Sequence, residues 1–417
     1  MPSTGDHRAP RSGVPVAPGT RSRSPAPSPP ALLFTAFEPS GDDHASPIIA
    51  ELRRRHPDLP IFAWGGRKME AAGATIVERT GDDAVMGMPG ISKIIEHGRI
   101  NRRVDEWLDD HRIAVHIPVD SPAANFPICF RTKSRGIKVV HLVAPQMWAW
   151  GPWRISKLRR LTDLVLCFLP FEEEWFLTRG VPARFIGHPL FDEPLDYADI
   201  DARVRAYGAR LPDGSPRIAL MPGSRPAELA KTLSPLLDAF RRVRADFPRT
   251  AGVLAVTRPD VADELRFRAK SLGGWPEGLD TVAGDIDAVV RWCDLAIVKS
   301  GTVTLHVARQ TKPMITFYRP DWLAYQLVGR WIVSTPYFTL PNLIAGKRII
   351  PELIPHFGDG ADLATGVYRI LRQPGFADDQ RLAMQRMCEK FAGHHAVPAG
   401  VDAIERVAGI SSDAPVA

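Results

Sequence analysis

The sequence predicts an α/β protein in which two doubly wound domains face each other across a cleft. Short apolar runs, of which Val139–Val143 and Leu164–Leu169 are examples, alternate with polar segments that are compatible with helices. Such runs are too short for buried helices and have the composition of interior strands. Strands that alternate with helices form parallel sheets through crossover connections. A chain of 417 residues is long enough to build two such domains, each with its own core.

The positive charge of the chain is concentrated at its N-terminus. Residues 1–30 contain four arginines and one aspartate, so they supply +3 of the formal net charge of +6. The remainder is only mildly basic, which argues against a nucleic-acid partner. The same segment is rich in Pro, Ser and Gly and has little apolar surface to bury, so we expect it to be disordered.

The rest of the chain divides into three parts. The first domain is predicted to span residues 31–195, the second 196–375, and helices at 376–410 are predicted to brace the first domain. The cysteines are far apart and lie in apolar surroundings: Cys129, Cys167, Cys293 and Cys388. We expect them to pack in the core in a reducing compartment. We expect neither a spanning helix, which needs about 18 apolar residues, nor a signal peptide.

Two predicted strands of the first domain end in polar loops. Strand Ala31–Ala36 runs into a loop that contributes Glu38, Ser40, Gly41 and Asp42. Strand Val115–Val119 ends directly before Asp120. A side chain just past the carboxyl end of a parallel strand lies in the crevice where such folds bind ligands. From the residues alone a second interpretation stays open, in which Ser40, Asp42 or Asp120 caps the following helix.

Two predicted strands of the second domain end in loops of small residues. Strand Arg217–Met221 is followed by Gly223, Ser224 and Arg225. Strand Leu295–Lys299 is followed by Ser300, Gly301 and Thr302, which open a helix. Small residues let backbone amides approach a phosphate, and an arginine offers two parallel hydrogen bonds to it. The second domain is therefore predicted to bind a phosphorylated ligand.

An apolar segment beside arginines is compatible with a lipid contact. Met86, Met88 and the rest of an apolar stretch interrupted by Gly and Pro precede Arg99, Arg102 and Arg103. Apolar side chains that enter a bilayer surface while cations meet anionic headgroups give reversible membrane binding. An ordinary core loop and helix explain the same pattern, so both interpretations remain open at this point.

Three segments carry a resemblance to a known family. The stretches HLVAPQMWAW, TDLVLCFLPFE and RFIGHP, all within 139–189, resemble those of lipid-A-disaccharide synthases. These are inverting glycosyltransferases with two facing Rossmann-like domains, an arrangement called GT-B. Shorter matches are similar to family motifs too: EPSGD at 38–42, Asp120 with Asn125, PGSR at 222–225, SGTVTL at 300–305 and LPNLIAG at 340–346. The resemblance covers residues 31–372.

The resemblance implies a reaction and a set of site residues. The family transfers a diacylglucosamine unit from UDP-2,3-diacylglucosamine, the UDP-sugar donor, to an acylated glucosamine phosphate acceptor, with UDP as the leaving group. It implies that Asp120 is the catalytic base and that no cofactor takes part. The implied nucleotide-sugar-binding residues are Gly223, Ser224, Arg225, Ser300, Gly301, Thr302, His306 and Asn342. The implied acceptor or lipid side comprises Glu38, Ser40, Gly41, Asp42, Met86, Met88, Arg99, Arg102 and Arg103.

The resemblance also implies a location in the cell and bears on a possible metal site. The acylated substrates place the protein in the cytoplasm, peripherally associated with the inner membrane. Asp285 and Asp287 are similar to the metal-chelating pair of other glycosyltransferases, but they stand where a helix begins. We expect them to cap it and expect no metal.

Four positions depart from the family pattern: Phe37, Ala123 or Ala124, Lys299 and His306. Phe37 stands where the family has a glycine, and His306 stands where the family has a glutamate that grips the ribose. These departures leave two alternatives open. One is a divergent enzyme that uses another UDP-sugar and lipid acceptor. The other is a catalytically silent protein that binds lipid or nucleotide.

Overall fold

The computed structural model describes residues 31–80, 90–149, 151–322 and 335–410, without the side chains of 90–97 and 209. The predicted disorder of residues 1–30 and the predicted lipid contacts of Met86 and Met88 lie outside these ranges. The described chain folds into two parallel sheets flanked by helices. The predicted fold class, two Rossmann-like domains, is therefore confirmed.

The first domain contains a seven-stranded parallel sheet in the order β3-β2-β1-β4-β5-β6-β7. Its strands are β1 Ala31–Thr35, β2 Ile61–Gly65, β3 Thr75–Arg79, β4 Ile113–Pro118, β5 Lys138–Leu142, β6 Leu164–Cys167 and β7 Ala183–Phe185. Its helices are α1 Pro39–Arg55, α2 Arg67–Ala71, α3 Gly90–Asp109, α4 Pro122–Ser134, α5 Ile155–Leu161 and α6 Glu172–Leu177.

The second domain contains a six-stranded parallel sheet in the order β10-β9-β8-β11-β12-β13. Its strands are β8 Arg217–Met221, β9 Ala251–Val256, β10 Leu279–Ala283, β11 Leu295–Lys299, β12 Met314–Phe317 and β13 Glu352–Leu353. The helices of this half are α7 Tyr197–Tyr207, α8 Pro226–Asp246, α9 Pro259–Ala269, α10 Ile286–Trp292, α11 Val303–Arg309, α12 Leu340–Ala345, α13 Ala361–Arg372, α14 Pro374–Cys388 and α15 Ala396–Ala408.

Burial explains why the apolar runs became strands. Every residue of β1, β9 and β11 is buried, as expected for strands covered by helices on both faces. Helix α8 turns the apolar stripe Leu229, Leu233 and Phe240 toward the second sheet. This stripe repeats at helical spacing, so one face of α8 is buried while its charged face meets water.

The last two helices attach to different domains. Met384 and Met387 of α14 pack in the same cluster as Ala308 of the second domain. Helix α15 instead joins the core of the first domain, where Val401 and Ile404 pack with the β1 strand. The chain therefore passes from the second domain back to the core of the first.

Each sheet reverses its strand order once. The first domain reverses between β1 and β4, and the second reverses between β8 and β11. In open α/β sheets, ligands bind outside the carboxyl ends of the strands at this switch point. The four polar loops predicted from the sequence follow these four strands. The fold therefore brings the predicted loops of each domain to its switch point.

Candidate active site

A contact across the cleft joins the two switch points. Glu38 follows β1 of the first domain, and Arg225 follows β8 of the second. An Arg225 guanidinium nitrogen, Nη2, lies 3.7 Å from Oε2 of Glu38. This ion pair is exposed, so it contributes little stability. The ion pair shows that the loop after β1 and the loop after β8 lie next to each other across the cleft.

Asp120 occupies the first switch point in an unusual backbone conformation. Its φ is 49° and that of Ser121 is 37°, both in the left-handed region that non-glycine residues rarely adopt. Ser121 holds the N-cap position of α4 without a side-chain hydrogen bond. Within the described chain, the Asp120 carboxylate makes no hydrogen bond or ion pair. The structure therefore leaves this carboxylate available to a ligand and gives it no capping role.

Two neutral histidines lie within electrostatic range of the Asp120 carboxylate. Its charge acts on His44 of α1 and on His141 of β5, and it raises the pKa of both. Burial outweighs this effect, so the pKa of His44 is lowered and that of His141 falls to about 4. Both imidazoles are neutral at neutral pH. Neither of these two rings therefore neutralises the charge of Asp120.

His188 lies at the junction of the domains. It follows β7, and its Nδ1 accepts a hydrogen bond of 3.1 Å from the Leu190 amide. The ring contacts Phe168 at a centroid distance of 5.3 Å. Burial is the main cause that lowers its pKa to about 3, with smaller effects from His44 of the first domain and His306 of the second. The neutral ring must carry its proton on Nε2 because Nδ1 is an acceptor.

Sequence reasoning missed these three histidines as site residues. His44 stands one helical turn after Ser40, while His141 and His188 belong to the stretches HLVAPQMWAW and RFIGHP. The signal that was available is the position of His141 and His188 at or just past strand ends. In a parallel sheet such residues gather at the same edge as Asp120.

Charged side chains surround the first phosphate-type loop of the second domain. Gly223 has φ 102°, and a Cβ at this position would lie 2.8 Å from Oε2 of Glu228. The positive φ therefore favours a glycine at this position. Glu228 Oε1 lies 3.3 Å from Nη1 of Arg225 and 2.9 Å from Nζ of Lys299. Arg225 is 58% exposed, so its guanidinium can be reached from the cleft.

The loop after β11 completes the second switch point. Ser300 Oγ donates a hydrogen bond of 3.2 Å to the Phe338 carbonyl. A Cβ added at Gly301 would meet only Lys299 Nζ, at 3.9 Å, so the backbone here is open to a close approach. Thr302 and Ser224 are exposed. Arg225, Lys299 and the open loop therefore form a cationic region suited to a diphosphate.

The comparison with protein families identifies the chain. Residues 32–385 match the family model described as lipid-A-disaccharide synthetase. The chain belongs to this family. The lipid-A-disaccharide synthase of Solibacter usitatus is 32% identical over 372 residues, which cover 88% of this chain and 95% of that protein. The synthase of Anaeromyxobacter dehalogenans is 34% identical over 360 residues, covering 85% and 92%.

Solved structures agree with the GT-B fold of this family. The UDP-GlcNAc 2-epimerase of Neisseria meningitidis, bound to UDP-GlcNAc, superposes with a TM-score of 0.61 at 12% identity, covering 90% of this chain and 99% of that chain. The glycotransferase of kitacinnamycin superposes with a TM-score of 0.57 at 15% identity, covering 91% and 99%. At these identities the likeness concerns the fold alone.

Two departures from the family pattern have a structural explanation. Phe37, where the family has a glycine, is buried against Trp64 and Ile128 in the core behind the loop. The side chain of Lys299 lies over the Tyr318 ring and donates to Glu228. Neither departure blocks the cleft. The first fills the core, and the second adds a cation next to Arg225.

His306, at the position of the family's ribose-binding glutamate, is already paired. Its Nδ1 lies 3.3 Å from Oδ1 of Asp287, and this contact holds the pKa of Asp287 below its usual range. Asp285 accepts a hydrogen bond of 3.1 Å from the Ala288 amide and caps α10, as the sequence predicted. No group of His, Cys, Asp and Glu side chains within the described ranges is arranged to hold a metal ion.

The structure gives Asn342 a different role from the predicted one. Its side chain is fully buried. The amide nitrogen donates to the Ile350 carbonyl at 2.9 Å, and the oxygen accepts from the Ile349 and Ile350 amides at 2.7 and 3.0 Å. It therefore joins α12 to the segment before β13. We remove Asn342 from the candidate ligand-binding residues.

Asp42 is likewise engaged with the backbone. Its carboxylate accepts hydrogen bonds of 3.1, 3.0 and 3.0 Å from the amides of Gly66, Lys68 and Met69. It therefore caps the start of α2 and not its own helix α1. These backbone contacts also replace the ligand contact predicted for it. Ser40 is half-buried in the first turn of α1, and Gly41 is buried against Ala36, where a Cβ would approach within 3.0 Å. Of this loop, Glu38 is the residue that reaches across the cleft.

Three arginines lie on the exposed side of α3. Arg103 is bound through two hydrogen bonds of 2.8 and 2.7 Å to Glu78. Arg99 and Arg102 are exposed on the same helix. In the part of the chain that the structure describes, none of the helices has both the length and the apolar character needed to cross a membrane.

Proposed function

We propose that this protein joins UDP-2,3-diacylglucosamine to 2,3-diacylglucosamine 1-phosphate and releases UDP, which forms the lipid A disaccharide. One observation carries the proposal. A carboxylate that is unpaired within the described chain, Asp120, and an accessible cation, Arg225, stand at two switch points that meet across the cleft. Family membership supplies the chemistry for which this geometry is suited.

The proposed reaction is a single displacement with inversion at the anomeric carbon. Asp120 accepts the proton of the acceptor hydroxyl while the oxygen of that hydroxyl forms a bond to the anomeric carbon of the donor. The bond from that carbon to the β-phosphate oxygen breaks, and its electron pair leaves with UDP. Arg225, Lys299 and the amides after β11 stabilise the charge on the departing diphosphate.

The ion pairs of the second domain are compatible with this role. Arg225 contacts Glu38 at 3.7 Å in an exposed ion pair, and it contacts Glu228, whose side chain is 17% exposed, at 3.3 Å. Exposed pairs of this kind contribute about 0–1 kcal/mol. A diphosphate with two charges can therefore replace Glu38 at little cost. The same replacement frees Glu38 on the acceptor side of the cleft.

Mass spectrometry of the products tests the proposed function. The full chain would be incubated with a panel of UDP-sugars and glycolipid acceptors, and both UDP and glycolipid products would be measured. We expect UDP release that requires both acylated substrates. Transfer from another UDP-sugar would indicate a divergent enzyme instead. UDP binding without any transfer would indicate a catalytically silent protein.

We also propose that the protein associates peripherally with the cytoplasmic face of the inner membrane. The exposed Arg99 and Arg102 on α3 support it, together with the acylated substrates implied by the family. A basic residue near an anionic surface contributes about 1 kcal/mol. The segment that contains Met86 and Met88 remains part of this proposal from its sequence alone.

Sedimentation with anionic vesicles tests the membrane proposal. Charge reversal of Arg99 and Arg102 should reduce the bound fraction, and more so at low salt. Arg103→Ala is the comparison on the same helix, where the arginine pairs with Glu78 and the change removes one charge without reversing it. Absence of vesicle binding by the unmodified protein would contradict the proposal.

A further inference from the structure

A buried chain of hydrogen bonds lies directly beneath Asp120. It comprises Thr35 at the end of β1, His116 in β4, and Asn125 and Thr132 in α4. All of these side chains are 0% exposed. They cannot touch a substrate in the cleft. A polar network in a core must therefore serve the protein itself, since unpaired polar groups would be costly there.

The directions of these hydrogen bonds follow from the available protons. Thr35 Oγ1 donates its one proton to Oδ1 of Asn125, at 2.7 Å. It must then accept from Nε2 of His116, which lies 2.8 Å away. Burial lowers the pKa of His116 to about 3, so the ring is neutral and carries its proton on Nε2. Its Nδ1 faces the Thr132 hydroxyl at 3.1 Å.

The other end of the network holds the backbone of the proposed base. Asn125 Nδ2 donates to the carbonyls of Val119 and Asp120, at 3.1 and 2.9 Å. These carbonyls flank the point at which the chain enters the left-handed region, with φ 49° at Asp120 and 37° at Ser121. Non-glycine residues keep this conformation only where the surroundings impose it. The Asn125 amide holds both carbonyls here, and the Asp120 amide in turn donates to the Leu142 carbonyl at 3.0 Å.

We propose that Thr35, His116 and Asn125 are positioning residues that orient Asp120 for proton abstraction. The network connects β1 to β4, the two strands that flank the first switch point. Thr35 fixes which way the Asn125 amide faces, because its hydroxyl can donate only to the carbonyl oxygen of that amide. This proposal rests on the proposed function, in which Asp120 is the base.

Replacement of Thr35 by valine tests the proposal. The variant removes the hydroxyl and keeps the shape, so the Asn125 amide loses its orientation. A displacement of about 1 Å can cost about 10²-fold in rate. We expect kcat to fall by roughly 10- to 100-fold, with KM for both substrates and UDP affinity unchanged. Thr35→Ser, which restores the hydroxyl, should restore kcat.

A matched control separates positioning from general stability. Thr162 is also buried, and its hydroxyl donates to the Leu158 carbonyl within α5, away from Asp120. Thr162→Val should lower the melting temperature to a similar extent and leave kcat unchanged. If Thr35→Val fails to fold, Thr35→Ala removes the same hydroxyl with a smaller side chain and replaces it in the experiment.

A double-mutant cycle with Asp120→Asn decides whether the network acts through Asp120. We expect Thr35→Val to lower kcat in the native background and to have no further effect in Asp120→Asn. An equal loss in both backgrounds, or native turnover in Thr35→Val, would overturn the positioning proposal while the base assignment stands. Full turnover in Asp120→Asn would instead overturn the base assignment itself.

Discussion

The two switch points of this molecule differ in the charge and the pairing of their side chains. At the first, the charge of the Asp120 carboxylate acts on the neutral His44 and His141, and its backbone is held in the left-handed region. At the second, the exposed Arg225 and the buried Lys299 share Glu228 in a set of ion pairs. The Asp120 carboxylate has no ion-pair partner in the described chain, whereas each charge of the second region is paired.

The difference follows from the tasks that we propose for the two regions. A general base must be held at one angle to the hydroxyl that it deprotonates, which requires a rigid support. A diphosphate site must exchange its carboxylate partners for a ligand, which requires weak and accessible ion pairs. Asp120 and Ser121, both with positive φ, are accordingly in the first region, whereas the positive φ of the phosphate loop falls on Gly223.

The largest expected effect is the loss of turnover in Asp120→Asn. Asparagine keeps the size of the side chain and removes its basicity, so kcat should fall by about 10²–10⁴-fold. Affinity for UDP should stay near the native value, because the second domain is untouched. Transfer assays at saturating substrates and calorimetry with UDP measure the two quantities.

Asp42→Asn is the matched control for this variant. Its carboxylate binds backbone amides at the start of α2, so this change should lower the melting temperature and leave kcat close to native. Near-native turnover in Asp120→Asn would exclude Asp120 as the base. Glu38, which reaches the cleft, would then be the next candidate.

The next effect in size concerns the charged region. Arg225→Ala removes a charged hydrogen bond to the diphosphate, which is worth about 1.5–3 kcal/mol. UDP affinity should therefore fall by about tenfold or more in calorimetry, with no loss of stability. Arg242→Ala, also exposed and paired on α8 with Asp238, is the control. Unchanged affinity in Arg225→Ala would remove this residue from the site.

The fold and the position of the site were predictable because both depend on local patterns. Runs such as Val139–Val143 can only be strands when they are short, apolar and bounded by polar residues. Parallel strands then place every following loop at the same edge of the sheet. The positions of Asp120 and Arg225 just past two such strands follow in this way from the sequence alone.

The roles of individual side chains were less predictable because they depend on tertiary contacts. The amide of Asn342 and the carboxylate of Asp42 have the same chemistry whether they face a ligand or a backbone. Only the packing of β13 and α2 beside them shows that both bind backbone groups. His44 and His188 are separated in sequence and share a site only after folding.

A third prediction concerns the boundary between the two regions. Glu172 is buried where Trp148 and Leu169 pack with residues of the second domain, and it accepts hydrogen bonds from both, each of 3.0 Å. Burial raises the pKa of its carboxyl to about 7, against 4.5 in a free chain. At pH values between 4.5 and about 7, Glu172 keeps its proton in the folded protein and releases it in the unfolded chain. Stability contributed by this group is therefore lost as pH rises.

Glu172→Gln should remove that pH dependence. The free energy of unfolding would be measured with denaturant at about pH 5 and about pH 8. Over this interval it should fall by on the order of 3 kcal/mol more in the native protein than in the variant. The comparison between variant and native protein isolates Glu172 from the buried histidines, which act in the opposite direction. Parallel pH profiles for the two proteins would mean that Glu172 is ionised in the fold.

The smallest expected effect tests whether His306 belongs to the charged region. His306→Glu restores the family residue but sets its carboxylate beside Asp287, which now pairs with the imidazole at 3.3 Å. Like charges at this distance should cost about 1 kcal/mol of stability, and adding Asp287→Asn should recover it. A net gain of about 1 kcal/mol for a hydrogen bond from the ribose to the carboxylate introduced at position 306 would make the double variant bind UDP roughly fivefold more tightly than the native protein. If UDP affinity is the same in the native protein, His306→Ala and the double variant, residue 306 does not contact the ribose. Its pairing with Asp287 would then serve only to connect α11 to α10.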